Sequence, residues 1–272
     1  VMYDSFMFFK DFDMLEIRLE EHWDMVDKFI ITEAPFTQSY KAKPLYYKEN
    51  QDRFKKYQEK IIYCEMDGKK FEPDKHFHNE RLQRNYFRTQ IYYHNNDVFI
   101  LSDADEIMNS EILMREEVFA GVAEHGVVAI NLSFHHYYVN YVVKDFRWTG
   151  PVITTGRILR TFSPSHLRRK ANDHGLVELN VDNAGWHFSW AGGIDKIYEK
   201  LEAVCNKEYV TETYLSKMDF ETRIRERVTF DFLTDGYKLT LDNNMVLPKY
   251  LMENKGRFSN LFYKGEQDGK SI

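Results

Sequence analysis

The apolar positions of this chain fall into two alternating patterns. Leu15, Leu19 and Trp23 recur at four-residue spacing and lay one apolar stripe along a helix. Asp13 stands as its N-cap, with Glu16 three residues on. Phe29-Ile-Ile-Thr-Glu33 then forms a short apolar run closed by a polar residue, which predicts a buried strand, and Lys60-Ile-Ile-Tyr-Cys64 reads the same way. Residues 79–94 are helical, with Leu82, Tyr86 and Gln90 on one side. Asp97-Val-Phe-Ile-Leu-Ser102 is the most strongly marked strand. Ser110 can cap a helix running to about Ala120, and Val127-Val-Ala-Ile-Asn-Leu132 is a fourth strand. This alternation predicts right-handed crossovers and a mostly parallel central sheet flanked by helices, an α/β fold.

The second half is less regular. Residues 135–143 and 151–159 read as strands or extended loops, 193–205 and 211–227 as helices, and 238–241 as a short strand. Pro248 suits the first turn of a last helix. No repeat, low-complexity block or Gly/Ser linker divides the chain. One domain is therefore expected over residues 1–264, with a polar tail at 265–272.

Composition narrows the function. With 43% hydrophobic and 29% charged residues, the chain can bury a core, and wholesale disorder is excluded. A net charge of −6 argues against a nucleic-acid partner, which calls for a basic excess. Aromatic residues at 16% suit a core plus a stacking or sugar-facing cleft. Two cysteines, Cys64 and Cys205, exclude a disulfide framework and a cysteine-based zinc site, and read as free, mostly buried thiols, with a single bridge as the alternative. No apolar run approaches the roughly 20 residues of a membrane span, and no signal peptide is visible. The expectation is a chain soluble as given, either cytoplasmic or trimmed of an anchor.

The sharpest chemical signal is Phe99-Ile-Leu-Ser-Asp103-Ala-Asp105-Glu106, three carboxylates directly after a buried strand. Ligands of open parallel sheets bind beyond the carboxyl ends of the strands. Asp103 and Asp105 could hold Mg²⁺ or Mn²⁺ there, since hard cations select oxygen ligands. Such a metal would bridge a nucleotide diphosphate. The plainer alternative is that these acids cap the next helix and face water. A second signal is Ala184-Gly-Trp-His187-Phe-Ser-Trp190-Ala-Gly-Gly193, where Trp186 and Trp190 flank His187, a candidate metal or diphosphate ligand. In the helix at 79–88, Arg81, Arg84 and Arg88 lie near one face, and an arginine there can bind phosphate bidentately. Glu33, at a strand end, is a candidate base or ribose contact, or else a turn cap. His166-Leu-Arg-Arg-Lys170 reads as a solvated loop. No Walker A or G-x-G-x-x-G pattern is present.

Taken in order, these pieces resemble glycosyltransferase family 17. The matching stretches are Phe12-Asp-Met-Leu-Glu-Ile-Arg18, Val26-Asp-Lys-Phe-Ile-Ile-Thr-Glu-Ala34, Lys43-Pro-Leu45, Asn85-Tyr-Phe-Arg-Thr89 and Asp97-Val-Phe-Ile100 with Asp103-Ala-Asp-Glu-Ile107. Ala184-Gly-Trp-His187 with Ser189-Trp190, and Pro248-Lys-Tyr-Leu251 with Asn254 and Arg257-Phe258, complete the set. The resemblance implies a GT-A-like fold, with a nucleotide-sugar-binding half over about 1–132 and an acceptor half over about 133–264. It implies an inverting transfer from a UDP-sugar, typically UDP-GlcNAc, to a glycan or glycoprotein acceptor, with Mn²⁺ or Mg²⁺. By that carry-over Asp103, Asp105 and His187 are the metal residues. Arg88, with Arg84, becomes a diphosphate or uridine contact, and Glu33, Thr37 and Trp186 become nucleotide-side candidates. The general base is expected at Asp219, before a helix, or at Asp182, close to His187. A Golgi lumen location would follow for an animal-type enzyme, a cytoplasmic one for a bacterial or viral chain. Competing readings are a catalytically degenerate sugar-binding protein, a nucleotidyltransferase, or the same fold with another donor sugar and a non-N-glycan acceptor. Residues 66–78 and 207–231 match the family poorly, which leaves the acceptor open.

Overall fold

The computed structural model describes every residue except 174–176, 180–183, 202, 204–218, 231–233 and 266–272. The chain opens on a strand that the apolar pattern does not announce, β1 (Met2–Met7), ahead of helix α1 (Phe12–Glu21). Asp4 and Ser5 interrupt its apolar run, yet both are buried. Asp11, not Asp13, stands at the N-cap of α1.

Strands β2 (Lys28–Glu33), β3 (Ile61–Glu65) and β4 (Val98–Leu101) lie where the apolar runs place them. All pair in parallel, with Asp4 opposite both Phe29 and Ile100, and Phe29 opposite Ile61. The order β3-β2-β1-β4 means that the chain builds outward on one side of β1, then returns to its other side. That reversal leaves a crevice beyond the carboxyl ends of β1 and β4. Both faces of this parallel part are covered: Leu15, Leu19, Phe29 and Ile31 pack on one side, and Tyr3, Ile30, Phe87 and Phe99 on the other.

Beyond β4 the sheet becomes mixed. The fourth expected strand exists as β6 (Val127–His136), but β7 (Tyr141–Thr155) is inserted between it and β4. β7 is antiparallel to both. β9 (Gly185–Ser189) runs parallel to β6, and β5 (Glu106–Met108) closes the far end antiparallel to β9. β8 (Val177–Leu179) pairs with β6 and β10 (Leu239–Leu241) with β7. Only residues 102–105 separate β4 from β5, although they stand fourth and eighth in strand order. The sheet therefore curls back on itself around that acidic loop. Gly185 sits where β9 meets β5: a side chain there would come within 2.3 Å of the Ile107 carbonyl.

The helices shape the crevice. α2 (Tyr46–Glu49) follows β2, and α3 (His76–Asn85) ends in a 3₁₀ turn at Tyr86–Thr89, short of the expected residue 94. Asn109 rather than Ser110 caps α4 (Ser110–Leu113), accepting from the Glu111 and Ile112 amides, and α5 (Glu116–His125) follows. α6 (Gly156–Thr161) and α7 (Pro164–Asn172) come after β7. α8 (Ile194–Leu201), α9 (Phe220–Glu226) and α10 (Lys249–Glu253) match three of the helical readings in part, the remainder of 211–219 lying largely outside the described residues. Among the described residues no helix is long and apolar enough to cross a membrane. Cys64 is a buried free thiol, and Cys205 lies outside the described residues.

One buried cation ties the crevice together. Arg18 of α1 has no solvent exposure. Its Nε and Nη2 donate to Asp4 at 2.8 and 2.5 Å, Nη1 donates to the carbonyls of Asp103 and Glu106 at 2.7 Å each, and Nη2 also reaches Ser102 Oγ. All five N–H donors of a guanidinium thus find acceptors. One turn on, His22 bonds Asp4 through Nδ1 at 2.8 Å and the Met108 amide through Nε2 at 2.9 Å. Burial pushes the Asp4 carboxyl up, but Arg18 and His22 outweigh it and bring it down to about 2.

Asp4→Ala would strand Arg18 as a buried, unpaired charge, and is expected to cost about 3–5 kcal/mol of stability. The double variant Asp4→Ala with Arg18→Met should lose less than the sum of the two single losses; urea unfolding of the cycle measures this. The depressed Asp4 value also sets a pH window. Its contribution is fully present above about pH 4, the unfolded-state range of an aspartate, and is lost as pH falls toward 2. Acid titration of stability should show this loss in wild type and not in Asp4→Ala.

Candidate functional site

A cleft of about 560 Å³ opens at the crevice, within the range of small-molecule sites. Its walls are the segment after β2, the exposed side of α3, helix α7, Trp148 of β7, the inward side of β9 and the end of α8.

The acidic loop forms its floor, and the three carboxylates take different positions. Glu106 has no solvent exposure. Its Oε2 accepts the Asp103 amide and Arg168 Nη1, both at 2.6 Å, while Oε1 accepts Trp148 Nε1 at 2.5 Å and Arg168 Nη2 at 3.0 Å. Gly150 makes room for this: a side chain there would come within 2.9 Å of Glu106 Oε1 and 2.5 Å of the indole nitrogen. Asp103 is about one-third exposed and accepts Arg84 Nη1 on one oxygen and Arg168 Nη2 on the other, each at 2.7 Å. Partial burial pushes its carboxyl up, but the Arg168 and Arg84 guanidiniums hold it well below the usual carboxylate range. Asp105 faces the other way, with Lys200 Nζ 3.1 Å from Oδ2 and His187 Nε2 3.8 Å from Oδ1. Lys200 also lies 3.7 Å from Asp11, whose buried Oδ2 has no hydrogen-bond partner among the described residues.

β9 follows the two-residue period of a strand. His187 and Ser189 line the cleft, while Trp186 and Phe188 stack on each other in the core. Trp186 spends its indole N–H on the Val246 carbonyl, so it does not reach the cleft as expected. The His187 ring packs against Trp148, with centroids 4.5 Å apart, and its Nδ1 is buried without a partner among the described residues.

The structure brings together Thr37, Arg84, Asp103, Asp105 and His187 on the cleft wall. Other candidates lie elsewhere. Glu33 has no solvent exposure and caps α2, accepting the Tyr47 amide at 3.0 Å and the Lys48 amide at 3.3 Å, with Tyr63 at 3.1 Å. Arg88 turns away to the Leu159 carbonyl, so Arg84 takes the position expected for it. Asp219 is an exposed helix cap, accepting the Thr222 amide at 2.9 Å and its hydroxyl at 2.6 Å. Asp182 lies outside the described residues.

The residues sequence reasoning passed over are cations and their anchors. The run 166–170 is not a solvated loop: Ser163 caps α7, Pro164 starts it, and Arg168 on its inner face is buried. Ser-Pro before a Leu167/Ala171 repeat was the available signal. Lys200 and Asp11 carried none.

A divalent cation does not fit this arrangement of donors. Both Asp103 oxygens are bonded to arginines and Asp105 Oδ2 holds Lys200, which leaves Asp105 Oδ1 with His187 Nε2, two donors 3.8 Å apart. Among the described residues no group of three His, Cys, Asp or Glu side chains is placed to hold a metal ion. Of the expected trio, Asp105 and His187 face each other at 3.8 Å, while Asp103 is turned to the two arginines.

The β-1,4-mannosyl-glycoprotein 4-β-N-acetylglucosaminyltransferase of Homo sapiens is 25% identical over 294 aligned residues, covering 96% of this chain and 55% of that protein. The enzymes of the same name from Rattus norvegicus and Mus musculus are also 25% identical, over 96% of this chain and 54% of each. The chain thus spans about half the length of the curated relatives it matches. Among solved structures, S. aureus TarS 1–349 superposes with a TM-score of 0.42 at 12% identity, over 83% of this chain and 68% of that one. A 4-diphosphocytidyl-2C-methyl-D-erythritol synthase gives 0.41 at 14% identity, over 73% and 95%. The family model for glycosyltransferase family 17 matches residues 1–266. Running through both walls of the cleft and the acidic loop between them, that match makes the chain a member of glycosyltransferase family 17.

Proposed function

We propose that the cleft takes a nucleotide-sugar donor, UDP-GlcNAc foremost, and passes its sugar with inversion to a glycan hydroxyl. The observation that carries this reading is the pairing of a switch-point crevice with converging cations over its acidic floor, Arg84 and Arg168 on one side and Lys200 on the other. The family supplies the reaction type. The curated relatives, named for N-acetylglucosaminyl transfer to β-1,4-mannosyl-glycoprotein, supply the first choice of donor and acceptor.

In an inverting transfer the acceptor oxygen attacks the anomeric carbon as the bond to the diphosphate breaks. The leaving diphosphate keeps the electron pair, and the acceptor proton passes to a base. Fixed cations facing the departing charge stabilise it without reorganising. Thr37 and the segment around it stand on the wall beside α3, where a nucleoside would lie. The rings of Trp148 and Trp190 line the other wall and offer apolar faces to a sugar. For the base, Asp219 is committed to a helix cap, so Asp182 is carried forward.

Two outcomes check this reading. A panel of UDP-hexoses and UDP-GlcNAc with a mannose-terminated N-glycan acceptor should release UDP and give a β-linked product, read by NMR of the new anomeric proton. Absence of turnover and of donor hydrolysis across the panel would favour the sugar-binding alternative. Asp182→Asn should lower kcat by about 10²–10⁴, the usual size of a general-base effect, while leaving UDP affinity unchanged. Wild-type kcat in that variant would remove Asp182 from the mechanism.

A further inference from the structure

We propose that Lys200, and not a bound divalent cation, supplies the positive charge above Asp105 that meets the donor diphosphate, so that donor binding needs no metal ion. The inference rests on the donor-site reading above and goes beyond it.

The geometry points to this in three ways. First, three of the four oxygens that Asp103 and Asp105 could offer a metal are occupied. Arg84 and Arg168 take both oxygens of Asp103, and Lys200 takes Asp105 Oδ2 at 3.1 Å. A metal that left these cations in place would meet Asp105 Oδ1 and His187 Nε2, 3.8 Å apart, and the described residues hold no group of three such ligands. Second, Lys200 is held rather than free. It sits in the last turn of α8, where a cation is favoured by the helix dipole, and its side chain is only 18% exposed. Its ammonium lies between Asp105 and Asp11, and a lysine has three N–H donors. One donates to Asp105 Oδ2 at 3.1 Å, and the Asp11 carboxylate stands beyond hydrogen-bond reach at 3.7 Å, which leaves a donor for a phosphate oxygen. Third, the cleft is already cationic. Among the described residues its lining carries Lys43, Arg81, Arg84, Arg168, Arg169 and Lys200 against four carboxylates, in a chain of net charge −6. The local excess of positive charge suits an anionic ligand without an added ion.

Isothermal titration of UDP into the full chain tests the inference, in EDTA and again in excess Mn²⁺. Wild type is expected to bind UDP in EDTA, with Mn²⁺ changing Kd by less than about threefold. Lys200→Met should weaken binding in EDTA by about tenfold or more, and Lys200→Arg should recover part of that loss. Binding that appears only with Mn²⁺, or tightens about tenfold with it, would overturn the inference while leaving the donor site in place. Unchanged affinity of Lys200→Met in EDTA would also overturn it. Should that variant fail to fold, the wild-type metal comparison and Lys200→Arg decide the matter. No UDP binding in either buffer would overturn the donor-site reading itself and the inference with it.

Discussion

A guanidinium with no contact to water joins the first strand, the first helix and the acidic loop. Arg18 spends two donors on Asp4, two on the loop carbonyls of Asp103 and Glu106, and one on Ser102. Isolated charges are costly to bury, so the pair is tolerable only because every donor is met. The consequence is geometric. The loop between β4 and β5 cannot move without breaking bonds to the centre of the sheet. Everything that faces the cleft from that loop inherits its position from a contact on the opposite side.

The three carboxylates of the loop then divide by burial. Glu106 is wholly enclosed and fixes Arg168, Trp148 and the Asp103 amide, so it works as a post. Asp103 receives two arginines, which fixes its charge and holds α3 and α7 against the floor. Asp105 looks across to His187 and Lys200 and meets the open volume. A short acidic motif can therefore hold three distinct roles, decided by which neighbours the fold brings to each side chain.

Much of this was legible in the sequence, and the failures have physical causes. The runs that became β2, β3, β4 and β6 are buried on at least one face, so their apolar character is plain. β1 escapes the apolar pattern because Asp4 breaks its run, and Asp4 is tolerated there by Arg18 and His22, fourteen and eighteen residues away in sequence. β7 was read as two uncertain pieces because its exposed residues 144, 145 and 147 interrupt it. In the site, Asp103, Asp105 and His187 were found because motifs mark them. Arg168 and Lys200 were not, since their partners lie 65 and 95 residues away and a basic side chain reads as solvated until the fold encloses it. Glu33 and Arg88 illustrate the converse: residue types suited to catalysis that the fold spends on a cap and a carbonyl.

The proposed function puts the donor diphosphate in the crevice between β1 and β4, over the loop that Arg18 holds. A crystal structure of the chain with UDP-GlcNAc tests this most directly. The account predicts the diphosphate above Asp105, within hydrogen-bond reach of Lys200, with the uracil toward Thr37 and the sugar toward Trp148. A nucleotide bound outside this cleft, or a diphosphate lying away from Lys200 and the acidic loop, would contradict it.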